Sequence, residues 1–549
     1  MLNFNANLLQ NIFDMKFLSL SKYSVLFLLF TVSCTKLDET DILYDRATNE
    51  NYGQTDAELI SLVAAAYTNL YGSFGGDGNI MCLQEVPSDE IVVPTRGPDW
   101  GDGGHWVRLK LHTYQAADSK MSGTWNFLFK GVNTCNRVML NLEPLGTPSS
   151  LKFISELKAL RAIYYYWLLD LFGNVPISTD FTKTDPPPNN TRKEVYDFVE
   201  KELLATLPDL AKTGPSDNAT YGRVNYYTAQ AVLAKLYLNA QVYTGTAQWD
   251  KCIAASDAVI NSALYALMPN YRDNFKKDNK GSTEFIWVIP YDEIQASGFS
   301  LPHMTLHMAN QSTYQMGGQP WNGWASVQEF YNSYIDPTQN PGPQGSVVGL
   351  DTKGTLTTGT RDLRLSNFIV GPQFNADGVS PLNDGAADVT DPDGPQINFT
   401  PYVNELLPGA WRQSGARIGK WEFYRGMTGQ LSNDWVLFRY ADILLTKAEA
   451  IARKSANWND PTALAIVNQI RTVHGGVTPY VTMTTVNFLA ERGREMFFET
   501  TRRQDQIRFG TYNSAFRFHP ADASNHVNIF PIPETVLNAN KNLKQNPGY

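Results

Sequence analysis

The sequence predicts a mainly α protein, with paired helices forming a solenoid-like scaffold that carries a large loop-rich insertion with short strands. Three observations lead there. Residues 438–474 read as a helix–turn–helix unit. Ala441, Leu444, Leu445, Ala448 and Ala452 recur at helical spacing, Asp460 and Pro461 suit the cap and first position of a second helix, and Ala463, Ile466, Val467 and Ile470 line it until Gly475 and Gly476. Such a unit cannot bury both faces alone, and further segments with the same period can stand beside it. Between 279 and 433 the texture changes to Gly, Pro, Asn, Asp, Thr and Ser, with only brief apolar strings such as 284–289 and 364–370.

At the N-terminus, Met15-Lys16 begins a short basic region, 23–32 is apolar, and Ser33 precedes Cys34. The uninterrupted apolar run is too short to span a bilayer and reads as a secretory signal over 1–33, with 1–14 an upstream mis-start. The junction resembles a bacterial lipobox, with Thr31 where Leu is usual, so Cys34 is expected to be lipidated and 34–57 to form a tether. Three cysteines then remain, Cys82, Cys135 and Cys252, an odd number that argues against a disulfide framework.

The N-terminal scaffold covers 58–278. Its first helix, 58–71, presents Leu59, Leu62, Val63, Ala66, Tyr67 and Leu70 on one face. Residues 73–108 lack a sustained helical period and form a long loop of the kind that carries function. Helices are expected over 123–142 and 151–172, from Thr191 as cap to about 207, over 225–243, and over 249–262. The insertion spans 279–433. The C-terminal scaffold, 434–549, adds a helix over 485–500 and a proline-punctuated tail.

Composition narrows the function classes. A net charge of −9 on 549 residues, with no basic run, argues against nucleic acid as a partner. Aromatic content of 12% leaves rings to spare for binding flat ligands. The sequence has no G-x-S-x-G elbow or complete phosphate-binding loop, Gly415 to Lys420 being one residue short of the latter. Gly75, Gly76 and Gly78 read as a turn. His303 and His307 are four apart, but Met304 stands where a zinc protease needs Glu, so they read as packing histidines. Glu491, Glu495 and Glu499 alternate with Arg492, Arg494, Arg502 and Arg503, which predicts ion pairs within one helix. Asp384, Asp388, Asp391 and Asp393 could ligate Ca²⁺ but lack EF-hand spacing; a solvated acidic loop is favoured over a structural Ca²⁺ site at Asp388, Asp391 and Asp393.

Tryptophans placed in loops are the strongest functional signal. Trp100 and Trp106 flank Gly101-Asp102-Gly103-Gly104, with Arg96 and Asp99 close by. Trp321 and Trp324 flank Asn322-Gly323, with Tyr314 near. Exposed indoles bind the apolar faces of sugar rings while Asn, Asp and Arg take hydroxyls; the alternative for each tryptophan is that it folds under and pins its loop, but two such clusters make these eight residues the candidate glycan-binding set.

Motifs along the chain resemble those of the SusD/RagB family of Bacteroidetes outer-membrane lipoproteins. They are Leu37-Asp38 after Cys34, Tyr67-Thr-Asn-Leu-Tyr71, Arg161-Ala-Ile-Tyr-Tyr-Tyr-Trp-Leu-Leu-Asp-Leu-Phe-Gly-Asn-Val-Pro176 and Gly222-Arg223-Val224. Arg361-Asp-Leu-Arg364, Arg439-Tyr-Ala-Asp-Ile-Leu-Leu445, Ala448-Glu-Ala450, the Glu491 to Arg508 charges, Phe530-Pro-Ile-Pro533 and Gln545-Asn-Pro-Gly-Tyr549 follow. The resemblance implies a bundle of tetratricopeptide-like helix pairs with an inserted loop region. It also implies a non-enzymatic lipoprotein of the outer membrane, facing outward, that captures oligosaccharides and delivers them to a SusC-like TonB-dependent transporter. Some members of similar fold capture peptides, and a surface glycoside hydrolase is the remaining alternative. The segment from Ser88 to Arg96 with Trp100 looks like relatives in β-glucan and other plant or algal polysaccharide systems.

Overall fold

The computed structural model describes residues 55–180, 182–335, 362–384 and 395–549. Cys34, the signal, nearly all of the tether, and Asp388, Asp391 and Asp393 lie outside the described residues. Thr55 opens helix α1 (Asp56–Thr68) through a capping box with Glu58, which satisfies two backbone donors at the helix start. Where the sequence suggested one long loop, two short helices form, α2 (Asn79–Glu85) and α3 (His105–Lys110). Gly78, assigned above to a turn, is the N-cap of α2. Every residue of α2 after Asn79 is buried, so tertiary packing stabilises a helix too short to show a period.

Helices α4 (Ser119–Leu142) and α5 (Pro148–Leu171) form a hairpin, and α6 (Arg192–Thr206) follows with its own Thr191–Glu194 capping box. The predicted 225–243 helix is divided at Asn239 into α7 (Tyr226–Leu238) and α8 (Ala240–Thr244). Asn239 leaves helical backbone geometry, and its side chain donates to Lys235 O at 2.9 Å. Helix α9 (Trp249–Ile260) packs on α7 and on α13 (Tyr440–Lys454), and α13 pairs with α14 (Pro461–Val473). Asp460 caps α14 through the amides of Thr462 and Ala463. Helices α15 (Thr485–Met496), α16 (Arg502–Phe509) and α17 (Glu534–Ala539) complete the scaffold.

The insertion is closed at its base by two five-residue strands that pair antiparallel, β2 (Phe285–Ile289) and β8 (Trp435–Arg439), with Phe285 opposite Arg439 and Ile289 opposite Trp435. Between them lie short helices α10 (Leu301–Thr305), α11 (Asn310–Tyr314) and α12 (Gln328–Asn332) and short strands β3 (Ala325–Ser326), β4 (Phe368–Ile369), β5 (Gly371–Pro372), β6 (Asn398–Phe399) and β7 (Arg417–Ile418). A continuous hydrophobic cluster runs from Leu59 to Leu543 and includes insertion residues such as Trp324 and Trp421, so the insertion shares the scaffold's core.

The acidic and arginine-rich α15 corrects one expectation. Its charges are buried and bond mainly to other elements. Glu491 meets Arg364 (2.6 Å) and Arg471 (2.8 Å), and Glu495 meets Arg364 (2.9 Å), Arg439 (2.6 Å) and His474 (2.7 Å). Arg492 meets Asp442 (2.8 Å) and Asp505 (2.6 Å), and Glu499, just past the end of the helix, meets Arg439 (2.8 Å) and Lys420 (2.5 Å). Arg494–Glu491 is a pair within the helix. The reason is position: α15 presents these residues to the interior, where each charge needs a partner and its hydrogen bonds. The motif residues Asp362, Arg364, Arg439, Glu491 and Glu495 thus converge on one buried network that joins the insertion to the C-terminal helices.

Candidate ligand-binding site

Strand β1 (Ile91–Val92) leaves α2 and pairs antiparallel with β3, Ile91 opposite Ser326 and Val92 opposite Ala325. Ser326 and Ala416 then exchange backbone hydrogen bonds (2.8 and 3.1 Å), which adds the segment leading into β7. This pairing brings together the loop over 95–104 and the loop over 317–324, widely separated in sequence. The first turns at Gly97-Pro98, with Arg96 and Asp99 bonded to each other through their backbones. The second docks its backbone on α10: the amides of Trp321, Gly323 and Trp324 donate to carbonyls of His303 and Met304 at 2.7–2.9 Å.

The four predicted tryptophans form one chain of ring contacts. Trp321 lies 6.5 Å from Trp100 between centroids, Trp100 lies 5.6 Å from Trp106, and Trp106 lies 5.6 Å edge-on from Trp324. Their exposures separate them. Trp321 is 45% exposed and Trp100 is partly exposed, whereas Trp106 and Trp324 are 1% and 0% exposed. The Trp100 indole donates to Trp321 O at 2.6 Å, and Trp106 donates to Asp102 at 2.7 Å. The structure therefore removes Trp106 and Trp324 from the contact surface; they wedge beneath it and fill the core. Trp106 lies on α3 and Trp324 directly precedes β3, elements that the core fixes.

Three other candidates are also internal. Arg96 is buried and spends its guanidinium on Asn322 O (2.8 Å), on Ser414 Oγ (2.8 Å) and O (3.0 Å), and on Trp411 O. Burial, partly offset by Asp99, lowers its pKa to about 9. Arg96 is thus a staple between three loops, enclosed where no ligand reaches it. Asn322 is fully buried with backbone φ of 58°, and its side-chain amide has no hydrogen-bond partner among the described residues. Tyr314 is 7% exposed and packs edge-on against Phe423 at 5.9 Å. Asp99 stays half-buried next to Trp100.

Sequence reasoning missed the groups behind the exposed rings. His303 stacks on Trp321 at 4.9 Å and 16°, and burial lowers its pKa, so a neutral ring backs the indole. Gly429 leaves room for it, since a Cβ there would lie 1.9 Å from the imidazole. Tyr402, 41% exposed, neighbours Trp411 at 6.0 Å, and Trp411 is tied to the same Arg96 staple. A usable signal existed for the docking of Trp100 rather than for these groups: the glycine between Trp321 and Trp324 marks a backbone that something must approach closely. That something is the Trp100 ring, 2.1 Å from where a Gly323 Cβ would stand.

The other chemical candidates are structural. His307 accepts from the Ala309 amide and faces Asp384 at 3.2 Å, while His303 faces Trp321, so the two histidines do not converge. Lys420 is buried and donates to Phe497 O (2.7 Å) and Glu499, which leaves no role in holding phosphate.

Comparison with known proteins places the fold. Residues 283–549 match the model of the SusD family, and 49–238 match a family described as starch-binding associating with outer membrane. The chain is 26% identical over 502 residues to the starch-binding protein SusD of Bacteroides thetaiotaomicron, spanning 85% of this chain and 84% of that protein. It is 25% identical over 512 residues to a SusD-like protein of Bacteroides ovatus, spanning 89% and 82% respectively. Among solved structures, a SusD superfamily protein of Parabacteroides distasonis superposes with a TM-score of 0.68 at 20% identity, covering 92% of this chain and 100% of that one. Surface glycan-binding protein A of B. thetaiotaomicron, in complex with laminarihexaose, does so at 0.67 and 21% identity, covering 89% and 99%. These likenesses establish a shared helical fold with its loop insertion.

Proposed function

This chain belongs to the SusD/RagB family, and from that premise we propose that it is a cell-surface glycan-binding lipoprotein whose Trp100–Trp321 face captures oligosaccharides. The observation that carries this reading is the convergence of two partly exposed indoles from distant loops, 6.5 Å apart, one of them backed by a stacked histidine. Flat rings fixed in this way match the C–H faces of pyranose rings, and half-buried Asp99 beside them can accept sugar hydroxyls. The names of the relatives support the same ligand class, starch in the case of SusD. Within that class, the segment from Ser88 to Trp100 favours a β-glucan or another plant or algal polysaccharide.

Capture of this kind requires no bond to break, so the protein acts without catalysis. Lipidation at Cys34 would hold it on the outer face of the outer membrane, and a SusC-like TonB-dependent transporter would receive the sugar. Native gels containing laminarin, other β-glucans or starch test the ligand. Retardation by one polysaccharide class is expected, and its loss in the Trp100→Ala, Trp321→Ala double variant. Each deletion should remove about 1–2 kcal/mol, roughly 5- to 30-fold in affinity. Undiminished retardation of the double variant would overturn the site. Co-purifying peptides, without retardation by any polysaccharide, would replace the ligand class; release of reducing sugar would restore the hydrolase alternative. Co-isolation with a TonB-dependent transporter from outer membranes tests the partner.

A further inference from the structure

The loop that leaves α3 and the loop that follows α16 meet at three side chains, His112, His519 and Asp522. Each offers one ligand atom, and these atoms all lie within 4.8 Å of one another. His112 Nδ1 is 2.8 Å and His519 Nε2 is 3.4 Å from the same oxygen, Asp522 Oδ2. Donor atoms bound to zinc at its usual distances stand about 3.3 Å apart in a tetrahedron; the His519 spacing matches that edge, and the His112 pair, now at hydrogen-bond distance, would widen by about 0.5 Å to admit the ion.

The protonation pattern calls for a cation here. His112 Nε2 lies 2.8 Å from Pro87 O; a carbonyl only accepts, so the ring proton sits on Nε2. Its Nδ1 lone pair then faces a carboxylate oxygen, and a positive species must stand between them. A proton would serve His112 and Asp522 but leave His519 with only a long 3.4 Å approach of its Nε2 to the same carboxylate oxygen. That ring has no solvent-exposed side-chain surface, and its Nδ1 has no hydrogen-bond partner among the described residues. A buried imidazole left in that state is costly, and a metal ion that takes its lone pair relieves it.

The surroundings fit a metal as well. The Pro87 carbonyl orients His112, and the Asn513 amide donates to Asp522 Oδ2 at 3.0 Å; such outer partners typically accompany metal ligands. His112 is held at φ of 53°, an uncommon conformation that the loop sustains. Lys110, the neighbouring cation, is committed to Ser88 O (2.5 Å) and Ile91 O (2.8 Å). Asp522 lies between exposed Ala521 and Ala523, so the cluster sits just beneath the surface.

We infer that His112, His519 and Asp522 form a structural site for one divalent transition-metal ion, Zn²⁺ by its donor set, which pins the loop after α3 to the C-terminal segment. The test uses the mature chain, stripped with a chelator and titrated calorimetrically with Zn²⁺. One ion per chain and a raised Tm are expected, with affinity falling at least about tenfold in His519→Ala and in Asp522→Asn. Co²⁺ added to the unaltered chain should give the intense visible bands of a four- or five-coordinate ion. The pale spectrum of the aqueous ion, absence of saturable one-to-one binding, or affinity unchanged in folded His519→Ala would each overturn the site. The chain has 7 histidines, so binding elsewhere would survive that substitution. The Co²⁺ spectrum needs no variant and decides the matter even if His519→Ala fails to fold.

Discussion

A Cβ at Gly323 would stand 2.1 Å from the Trp100 ring, and its neighbour Asn322 is held at φ of 58°. Gly323→Ala should therefore push Trp100 off its position and weaken glycan binding about tenfold, or about 1.4 kcal/mol, with a change in tryptophan fluorescence before any ligand is added. Unaltered affinity and emission would show that Trp100 is not fixed by this contact. The same residues show how far the site was legible. All four tryptophans sit in Gly-, Asn- or Pro-rich sequence, and nothing local distinguishes Trp100 and Trp321 from Trp106 and Trp324. Burial is decided by the β1–β3 pairing and by Arg96 reaching Asn322, Trp411 and Ser414, contacts spanning more than 200 residues. Arg96 was misread for the same reason: a cation beside an aromatic looks ligand-facing until its carbonyl partners are seen.

Among the elements, the hairpin α13–α14 followed its sequence closely, because its caps and apolar seam are local. Leu444 lies in that seam at 4% exposure, within a cluster with Ala448, Ala463 and Val467. Leu444→Ala should lose about 2–5 kcal/mol, measured by denaturant unfolding, while ligand affinity of the folded fraction stays unchanged. Leu444→Asp, which buries an unpaired charge, should not fold. If either variant stays fully stable and loses glycan binding alone, the division between scaffold and binding loops is wrong. Elements whose cause is not local escaped the sequence. Helix α2 exists because its residues are enclosed, β2 and β8 because each completes the other, and α15 carries inward charges whose spacing reads as ion pairs within one helix.

For the whole molecule, the buried charges set a stability optimum. Buried carboxylates paired with arginine are held down: burial opposes this at Glu449, but its partners Arg508 and Arg453 outweigh it and bring the value to about 2. Such groups add stability above their unfolded value of about 4 that is lost as pH falls toward the folded one. Two groups act in the opposite direction. Burial raises Glu85, which faces Glu90, to about 7. At His474 burial is outweighed by Glu495 and Glu284, which raise it to about 9. Their contributions are whole below about 4.3 and 6.5 respectively, and disappear as pH climbs through the raised values. Tm should thus be highest near about pH 4 to 5, and Glu85→Gln, keeping an acceptor for the Thr500 amide, should flatten the decline between about pH 4 and 7. A wild-type Tm that rises steadily to pH 9 would contradict this assignment. The Arg96 staple, finally, bears on the timing of glycan binding. Loops already joined through backbone carbonyls have little left to order when a sugar arrives, so encounter is limited by diffusion and orientation, and differences among glycans appear in how long each stays. A surface receptor built in this way samples passing chains quickly and sorts them by residence time.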